Sequence, residues 1–320
     1  MKILFSRALL ASLATALFFA GCSQQSASTS ETPESTAQTP AAAPLAPGIY
    51  RRSLAVNGTL RYYNLHVPTG YDGSVSLPLV FVLHGYSGTA QSIAISTGMS
   101  LKADQAGFLV AYLEGTTGDG FFQAWNTGLT PELGLTVDDV AFVRELAEQL
   151  KAELAVDAKR IYAAGMSNGG FMCHRLAAEL PDLLAAVAPV AGTIGTSPNS
   201  GVDYYMIPPA QGPIPILIVH GELDANIPYD GGQGSGAGQL YVKSVADAVA
   251  FWAQADSCAG NAETTVNGNV TLIRHGDCAE GSEVRHIKIS DGYHEWPTAQ
   301  GHTGFSATDA IWEFFQQHSL

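Results

Sequence analysis

The run Arg160-Ile-Tyr-Ala-Ala-Gly165-Met-Ser167-Asn-Gly169-Gly-Phe171 decides the fold of this 320-residue chain. A β-branched and aromatic stretch leads straight into Gly165-x-Ser167-x-Gly169, and an Ala- and Leu-rich helical pattern follows it. Strand, sharp turn and helix around one serine present its hydroxyl above the edge of a sheet. A Cβ at either flanking glycine would crowd the strained turn and its neighbours. The helix behind Ser167 adds partial positive charge where an oxyanion would form. This pattern predicts a nucleophilic serine.

Such a serine needs a base, and the base needs a group to orient it; behind an elbow of this kind they follow in the order acid, then histidine. Ile214-Pro-Ile-Leu-Ile-Val219 reads as a buried strand that breaks at Gly221, which puts Asp224 just past its carboxyl end. Glu222 and Asp230 compete for the acid's role, but Glu222 lies too close to the strand end and Asp230 opens a glycine-rich loop. Asp224 is the expected acid. Five histidines follow it: His275, His286, His294, His302 and His318. His286 alternates within a strand-like Val284–Ile289, His318 ends the terminal helix, and His275 sits in a turn beside Cys278. His294, in the loop Ser290-Asp-Gly-Tyr-His-Glu-Trp-Pro297 after the last strand, is the expected base, with His302 as fallback. Upstream, Pro78–Leu83 is another buried strand, ending in His84-Gly85-Tyr86. The backbone amides of Tyr86 and Asn168 are the expected oxyanion donors, with Gly85 close behind Tyr86. The His84 side chain precedes the serine and reads as a structural group holding its loop.

Several motifs follow in order: Leu83-His-Gly85, Ala124-Trp-Asn126, Val137-Asp-Asp-Val-Ala-Phe-Val143, Gly165–Gly170, Ala188-Pro-Val-Ala-Gly192, Ile227-Pro-Tyr-Asp-Gly-Gly232 and His294-Glu-Trp-Pro297. Together they resemble the polyhydroxybutyrate depolymerase and feruloyl esterase family of α/β hydrolases. The resemblance covers about residues 50–320 and implies an esterase whose triad roles fall on Ser167, Asp224 and His294. Two departures stand out. The family's extra cysteines near Trp-Asn are missing, with only Cys173 in the helix after the nucleophile, and the usual Gly-Gly-His loop reads Gly292-Tyr-His294.

Residues 1–21 read as an export signal: two positive charges, then an apolar core too short for a comfortable span. It stops at Phe19-Ala-Gly-Cys22, which resembles a bacterial lipoprotein box and makes Cys22 the expected lipidation site. Ordinary cleavage there, releasing a secreted enzyme, is the alternative. Residues 22–48, rich in Ser, Thr, Ala and Pro, lack apolar periodicity and are expected to form a disordered tether. Residues 49–320 then form a single catalytic domain. Cys258 and Cys278 are expected to pair in the oxidising compartment, closing a loop of about twenty residues worth ~3 kcal/mol. Cys173 reads as a small buried apolar residue.

Strand-like runs at 59–67, 78–84, 108–113, 160–164, 185–190, 214–220 and 284–289 alternate with helical patterns. That alternation predicts a mostly parallel sheet flanked by helices, the α/β-hydrolase fold of the resemblance. Asp138 and Asp139 are expected to cap a helix running to about Glu153. The chain has a net charge of −14, and loses Lys2 and Arg7 with the signal to reach −16. Such a surface disfavours nucleic acid and polyanionic substrates.

The expected activity is exported serine ester hydrolysis through an acyl-enzyme, without cofactor or metal, by a monomer touching membrane only through a lipid anchor. Substrates are short-chain, hydroxyalkanoate-oligomer, polyester or feruloyl-type esters, small or polymeric. The helix ending at Leu320 is expected to complete the catalytic unit without a surface-binding module, which favours soluble short-chain, oligomeric or hydroxycinnamoyl esters. Trp296 and Trp125 are expected to wall an acyl or aromatic subsite. A serine peptidase and a non-catalytic, surface-anchored binding protein on the same fold are the alternatives.

Overall fold

Four strands of five to eleven residues, each carrying an apolar run, lie side by side at the centre, and everything else is arranged around them. The computed structural model describes residues 45–320, apart from 119–120, 200–201 and 237–238. The signal, Cys22 and most of the tether therefore lie outside the described residues. Ten strands form the main sheet. In chain order they are β1 (Gly48–Val56), β2 (Thr59–Val67), β3 (Leu77–Leu83), β4 (Leu109–Leu113) and β5 (Val156–Met166). They continue as β6 (Ala186–Val190), β7 (Ile216–Gly221), β8 (Glu263–Asn267), β9 (Val270–His275) and β10 (Val284–Ile289). Their spatial order is β1-β2-β4-β3-β5-β6-β7-β10-β9-β8. From β4 through β10 every neighbouring pair is parallel, while β1, β2, β8 and β9 join antiparallel at the two edges. This is the α/β-hydrolase architecture.

A parallel sheet must be covered on both faces, and strand alternation shows how. Along β3, Leu79, Phe81 and Leu83 enter one apolar core while Val80 and Val82 enter the other. Helices α3 (Asp139–Glu153), α4 (Asn168–Glu179) and α5 (Val245–Ala255) supply the first core, through residues such as Phe142, Met172 and Trp252. Helices α1 (Ala90–Thr97), α2 (Met99–Ala106) and α6 (Ala307–Phe315) supply the second. There Phe108 stacks on Trp312 with ring centroids 4.0 Å apart, and Tyr162 on Phe315 at 4.6 Å.

The central strands lie where the apolar runs place them. The two edges carry additions: β1, and β8, the outer strand of the hairpin β8–β9, whose Glu-Thr-Thr-Val-Asn is exposed throughout. A short polar outer strand of that kind is a poor template for pairing with another chain. The Asp138-Asp139 pair divides its labour. Asp138 caps α3, accepting from the Ala141 amide at 2.9 Å. Asp139 is not a cap: it is wholly buried, 2.5 Å from Arg61 Nη2, and accepts from the Asn126 amide at 2.7 Å. Arg61 on β2 draws it inward, because a buried guanidinium must be paired. Cys258 and Cys278 form a disulfide, and Cys173 is a buried free thiol.

Candidate active site

Strands β3, β5, β7 and β10 point the same way, so their carboxyl ends share one edge of the sheet. Leu83 lies opposite Gly165, Met166 opposite Val190, and Gly221 opposite Ile289. The segments leaving those ends carry His84–Tyr86, Ser167, Asp224 and His294. Parallel topology thus gathers residues more than a hundred positions apart.

Ser167 occupies the turn between β5 and α4 with φ 56° and ψ −120°, a left-handed conformation that costs a non-glycine residue energy. The bonds around it hold the turn: Ser167 N–H donates to Val190 O and the Phe171 amide to Ser167 O, both at 2.9 Å. Neighbouring backbones come very close. A Cβ at Gly165 would stand 2.5 Å from Gly169 O, and one at Gly169 would stand 2.6 Å from His84 O. Both positions therefore exclude any side chain.

His294 Nε2 lies 2.9 Å from Ser167 Oγ, and His294 Nδ1 lies 2.8 Å from Asp224 Oδ2. Since a carboxylate only accepts, Nδ1 carries the proton and Nε2 is free to accept from the serine hydroxyl. The Asp224 side chain is fully buried and its other oxygen accepts from the Asn226 and Ile227 amides at 2.9 Å each. Burial works against its charge, but hydrogen bonds from His220 and His294, the His294 charge and the Ile227 amide outweigh it. They hold the Asp224 carboxyl well below the usual carboxylate range. The two loops are locked together: the Leu223 amide donates to Gly292 O at 2.9 Å, and a Cβ at Gly292 would lie 2.9 Å from Gly221 Cα.

Neither the Tyr86 nor the Asn168 amide donates to another described residue, and both residues line the cavity above Ser167. His84 stands behind them. Its Nδ1–H donates to Gly85 O at 2.7 Å and its Nε2 accepts from the Gly115 amide at 2.9 Å. Burial pulls its pKa down, so a neutral ring braces the turn.

Trp125 and Trp296 are not walls of the cavity, contrary to expectation. Trp125 is completely buried; its backbone amide donates to Asn168 Oδ1 and its indole N–H to His84 O, each at 2.8 Å. It clamps from below the two turns whose amides face the cavity. Trp296 is buried in the other core, where its indole N–H donates to Thr308 Oγ1 at 2.9 Å. An indole with a satisfied donor belongs in a core. Among the other candidates, Glu222 pairs with Lys288 at 3.1 Å, Asp230 is exposed, and His302 bonds Asp291 O at 2.8 Å. None of these three reaches Ser167.

The cavity holds about 310 Å³. Its walls come from Thr130, Glu132 and Leu133 before α3, Phe171 on α4, and Asn226, Ile227, Gly236 and Leu240 after β7. None of these residues is marked as a cavity wall by the sequence pattern. Only Phe171 carried a signal, since it lies one helical turn beyond Ser167 and so shares its face.

The family model described as Esterase PHB depolymerase matches residues 61–206. "Putative esterase NocK" of Nocardia uniformis subsp. tsuyamanensis is 37% identical over 185 residues, which is 56% of this chain and 50% of that protein. "Feruloyl esterase B" of Piromyces equi is 30% identical over 258 residues, or 79% of this chain and 44% of that protein. The chain thus spans about half the length of the curated relatives it matches. Among solved structures, an acetyl xylan esterase from Aspergillus awamori aligns with a TM-score of 0.59 at 15% identity, covering 83% of this chain and 99% of that one. That likeness speaks to the fold alone.

Proposed function

Over residues 61–206 the chain belongs to the Esterase PHB depolymerase family, and from that premise we propose that it is a serine carboxylic-ester hydrolase working through an acyl-enzyme. One observation carries the proposal: Ser167 Oγ, His294 and the buried Asp224 form an unbroken hydrogen-bonded line at 2.9 and 2.8 Å beneath an open cavity.

In this mechanism His294 Nε2 takes the Ser167 proton as Oγ attacks the ester carbonyl. Asp224 stabilises the imidazolium so formed and holds the ring's orientation. The tetrahedral oxyanion is met by the Tyr86 and Asn168 amides, which are fixed before the reaction by the His84–Trp125 scaffold. His294 then protonates the departing alcohol, and water repeats the sequence on the acyl-serine. Leu133, Phe171, Ile227 and Leu240 make the cavity largely apolar, which suits short acyl, hydroxyalkanoate-oligomer or feruloyl-type esters. Residues 1–21 serve as export signal, Cys22 as lipid attachment site and 22–48 as tether to the catalytic domain of 49–320. The Cys258–Cys278 disulfide supports an oxidising, extracytoplasmic location.

Hydrolysis of p-nitrophenyl esters from acetate to octanoate, beside a matched amide, tests the assignment. Ester turnover should fall at least about a thousandfold in Ser167→Ala, with the fold unchanged. Retained turnover would sink the proposal, and equal turnover of the amide would make the enzyme a peptidase.

A further inference from the structure

Behind the Asp224 carboxylate lies a group of buried rings that the mechanism above does not use. His220, near the end of β7, is 1% exposed; His174 on α4 and Trp252 on α5 are wholly buried. His220 Nε2 stands 2.8 Å from Ile227 O and 3.3 Å from Asp224 Oδ2, the same oxygen that meets His294. Both neighbours are acceptors, so His220 Nε2 carries a proton, which bonds Ile227 O first and has Asp224 Oδ2 as its weaker second acceptor. The Trp252 indole N–H donates to His174 Nδ1 at 3.0 Å, which leaves the proton of a neutral His174 on Nε2. Burial pulls His174 down to about 3, so its ring is neutral at working pH. Tyr229 and His286 complete the surroundings: the Tyr229 ring sits edge-on to His220 at 6.0 Å, and its hydroxyl lies 3.4 Å from His286 Nε2.

Two atoms of this group, His174 Nε2 and His220 Nδ1, are buried without a hydrogen-bond partner among the described residues. The tautomers just derived make the first a donor and the second, on a neutral His220, an acceptor. They are complementary, and a buried donor and a buried acceptor are each costly to leave unpaired. We propose that His220 is a positioning residue for the Asp224 carboxylate, and that His174 holds it in the Nε2–H tautomer through one water bridging to its Nδ1. His220 thereby gives Asp224 Oδ2 a second donor, fixing the oxygen that orients His294. This rests on reading Ser167, His294 and Asp224 as the triad.

The test compares His220→Leu, His220→Gln and Ser167→Ala in the full chain. Loss of one hydrogen bond to a charged group predicts that His220→Leu lowers kcat about ten- to a hundredfold, with KM within about twofold. The acidic limb of its kcat/KM profile should move to lower pH, because a loosened Asp224 stabilises the His294 imidazolium less. His220→Gln, whose amide N–H reaches the place of Nε2, should recover most of the rate. A His220→Leu protein with kcat within about twofold of the parent would overturn the proposal, as would a Gln variant equally impaired with the pH limb unmoved. Long-range proton–nitrogen NMR on the unmodified protein gives a reading independent of any variant's folding. It should find His220 and His174 both as Nε2–H tautomers; an Nδ1–H or doubly protonated His220 overturns the proposal. Turnover surviving in Ser167→Ala would instead remove the triad reading itself, a result that unaffected His220 variants beside an inactive Ser167→Ala would not give.

Discussion

Replacing Asp256 by Asn should abolish a stability penalty that grows as the pH rises. Asp256 closes the carboxyl end of α5, where the helix dipole is negative, and it is fully buried. Its Oδ1 accepts from the Ile214 amide at 3.3 Å, its Oδ2 accepts from the Ser282 hydroxyl, and its backbone oxygen accepts from the Ala279 amide at 2.7 Å. Burial pushes the carboxyl from 3.8 up to about 6, although the Ser282 and Ile214 bonds oppose it. A folded-state pKa above the unfolded one means that the native state binds the proton more tightly. The associated stability is complete below about pH 3.8 and disappears as the pH climbs through about 6. A shift of about two pH units corresponds to about 3 kcal/mol at most. Asn is neutral throughout and can keep both side-chain bonds, with the Ser282 hydroxyl turned to accept. Urea unfolding of parent and Asp256→Asn at steps from pH 4.5 to 8 measures the effect. The variant's advantage should widen by about 2–3 kcal/mol across that range. Glu283 does not interfere. Burial opposes its charge, but His318, Arg285 and Arg274 pull its pKa from 4.5 down to about 2, so its contribution fades only below the window. Two stability curves that stay parallel would refute the reasoning.

Gly169→Ala should lower kcat by at least about tenfold, because its methyl would stand 2.6 Å from His84 O and displace the turn that carries Tyr86; an unchanged kcat on p-nitrophenyl acetate would refute this. Asp139→Asn leaves the Arg61 guanidinium buried without its counter-charge and should cost about 3–5 kcal/mol in urea unfolding. The double replacement Arg61→Met, Asp139→Leu should recover most of that loss, and additive losses would count against it. Removing the disulfide by Cys258→Ser and Cys278→Ser should cost about 3 kcal/mol of stability. It should leave kcat within about twofold of the parent, since neither cysteine lines the cavity.

The parts of this molecule that could be read in its sequence share one physical property: each is fixed by local covalent order. Strands β3, β6 and β7 are continuous apolar runs, and β5 ends in one, because both faces of a parallel sheet are buried; β10 shows instead the alternation of a strand nearer the edge. Ser167, Asp224 and His294 each follow the end of a strand by one to five residues, so chain order alone was enough to nominate them. Orientation and pairing across the fold were not legible. Trp125 and Trp296 sit beside site residues in sequence, yet their indoles find acceptors at His84 O and Thr308 and turn inward. Asp139 looks like a helix-capping acid until Arg61, 78 residues earlier, claims it. His220 reads as an ordinary member of a strand; only the fold reveals that its ring faces Asp224. The cavity walls Thr130, Glu132, Leu133, Asn226, Ile227, Gly236 and Leu240 lie outside the main strands and helices, where no periodicity betrays which side they face.

Those walls have a consequence for how the molecule can change over generations. Ser167, Asp224 and His294 are bolted to the ends of central strands through backbone contacts that tolerate no side chain at Gly165, Gly169, Gly221 or Gly292. Thr130, Glu132, Leu133, Asn226, Gly236 and Leu240 belong to connecting segments outside the ten-stranded sheet. Chemistry and selectivity are thus inherited as nearly separate traits. Libraries that randomise the connecting segments should yield enzymes with new acyl preferences and an intact core, whereas the same number of changes at the strand ends should yield inert protein.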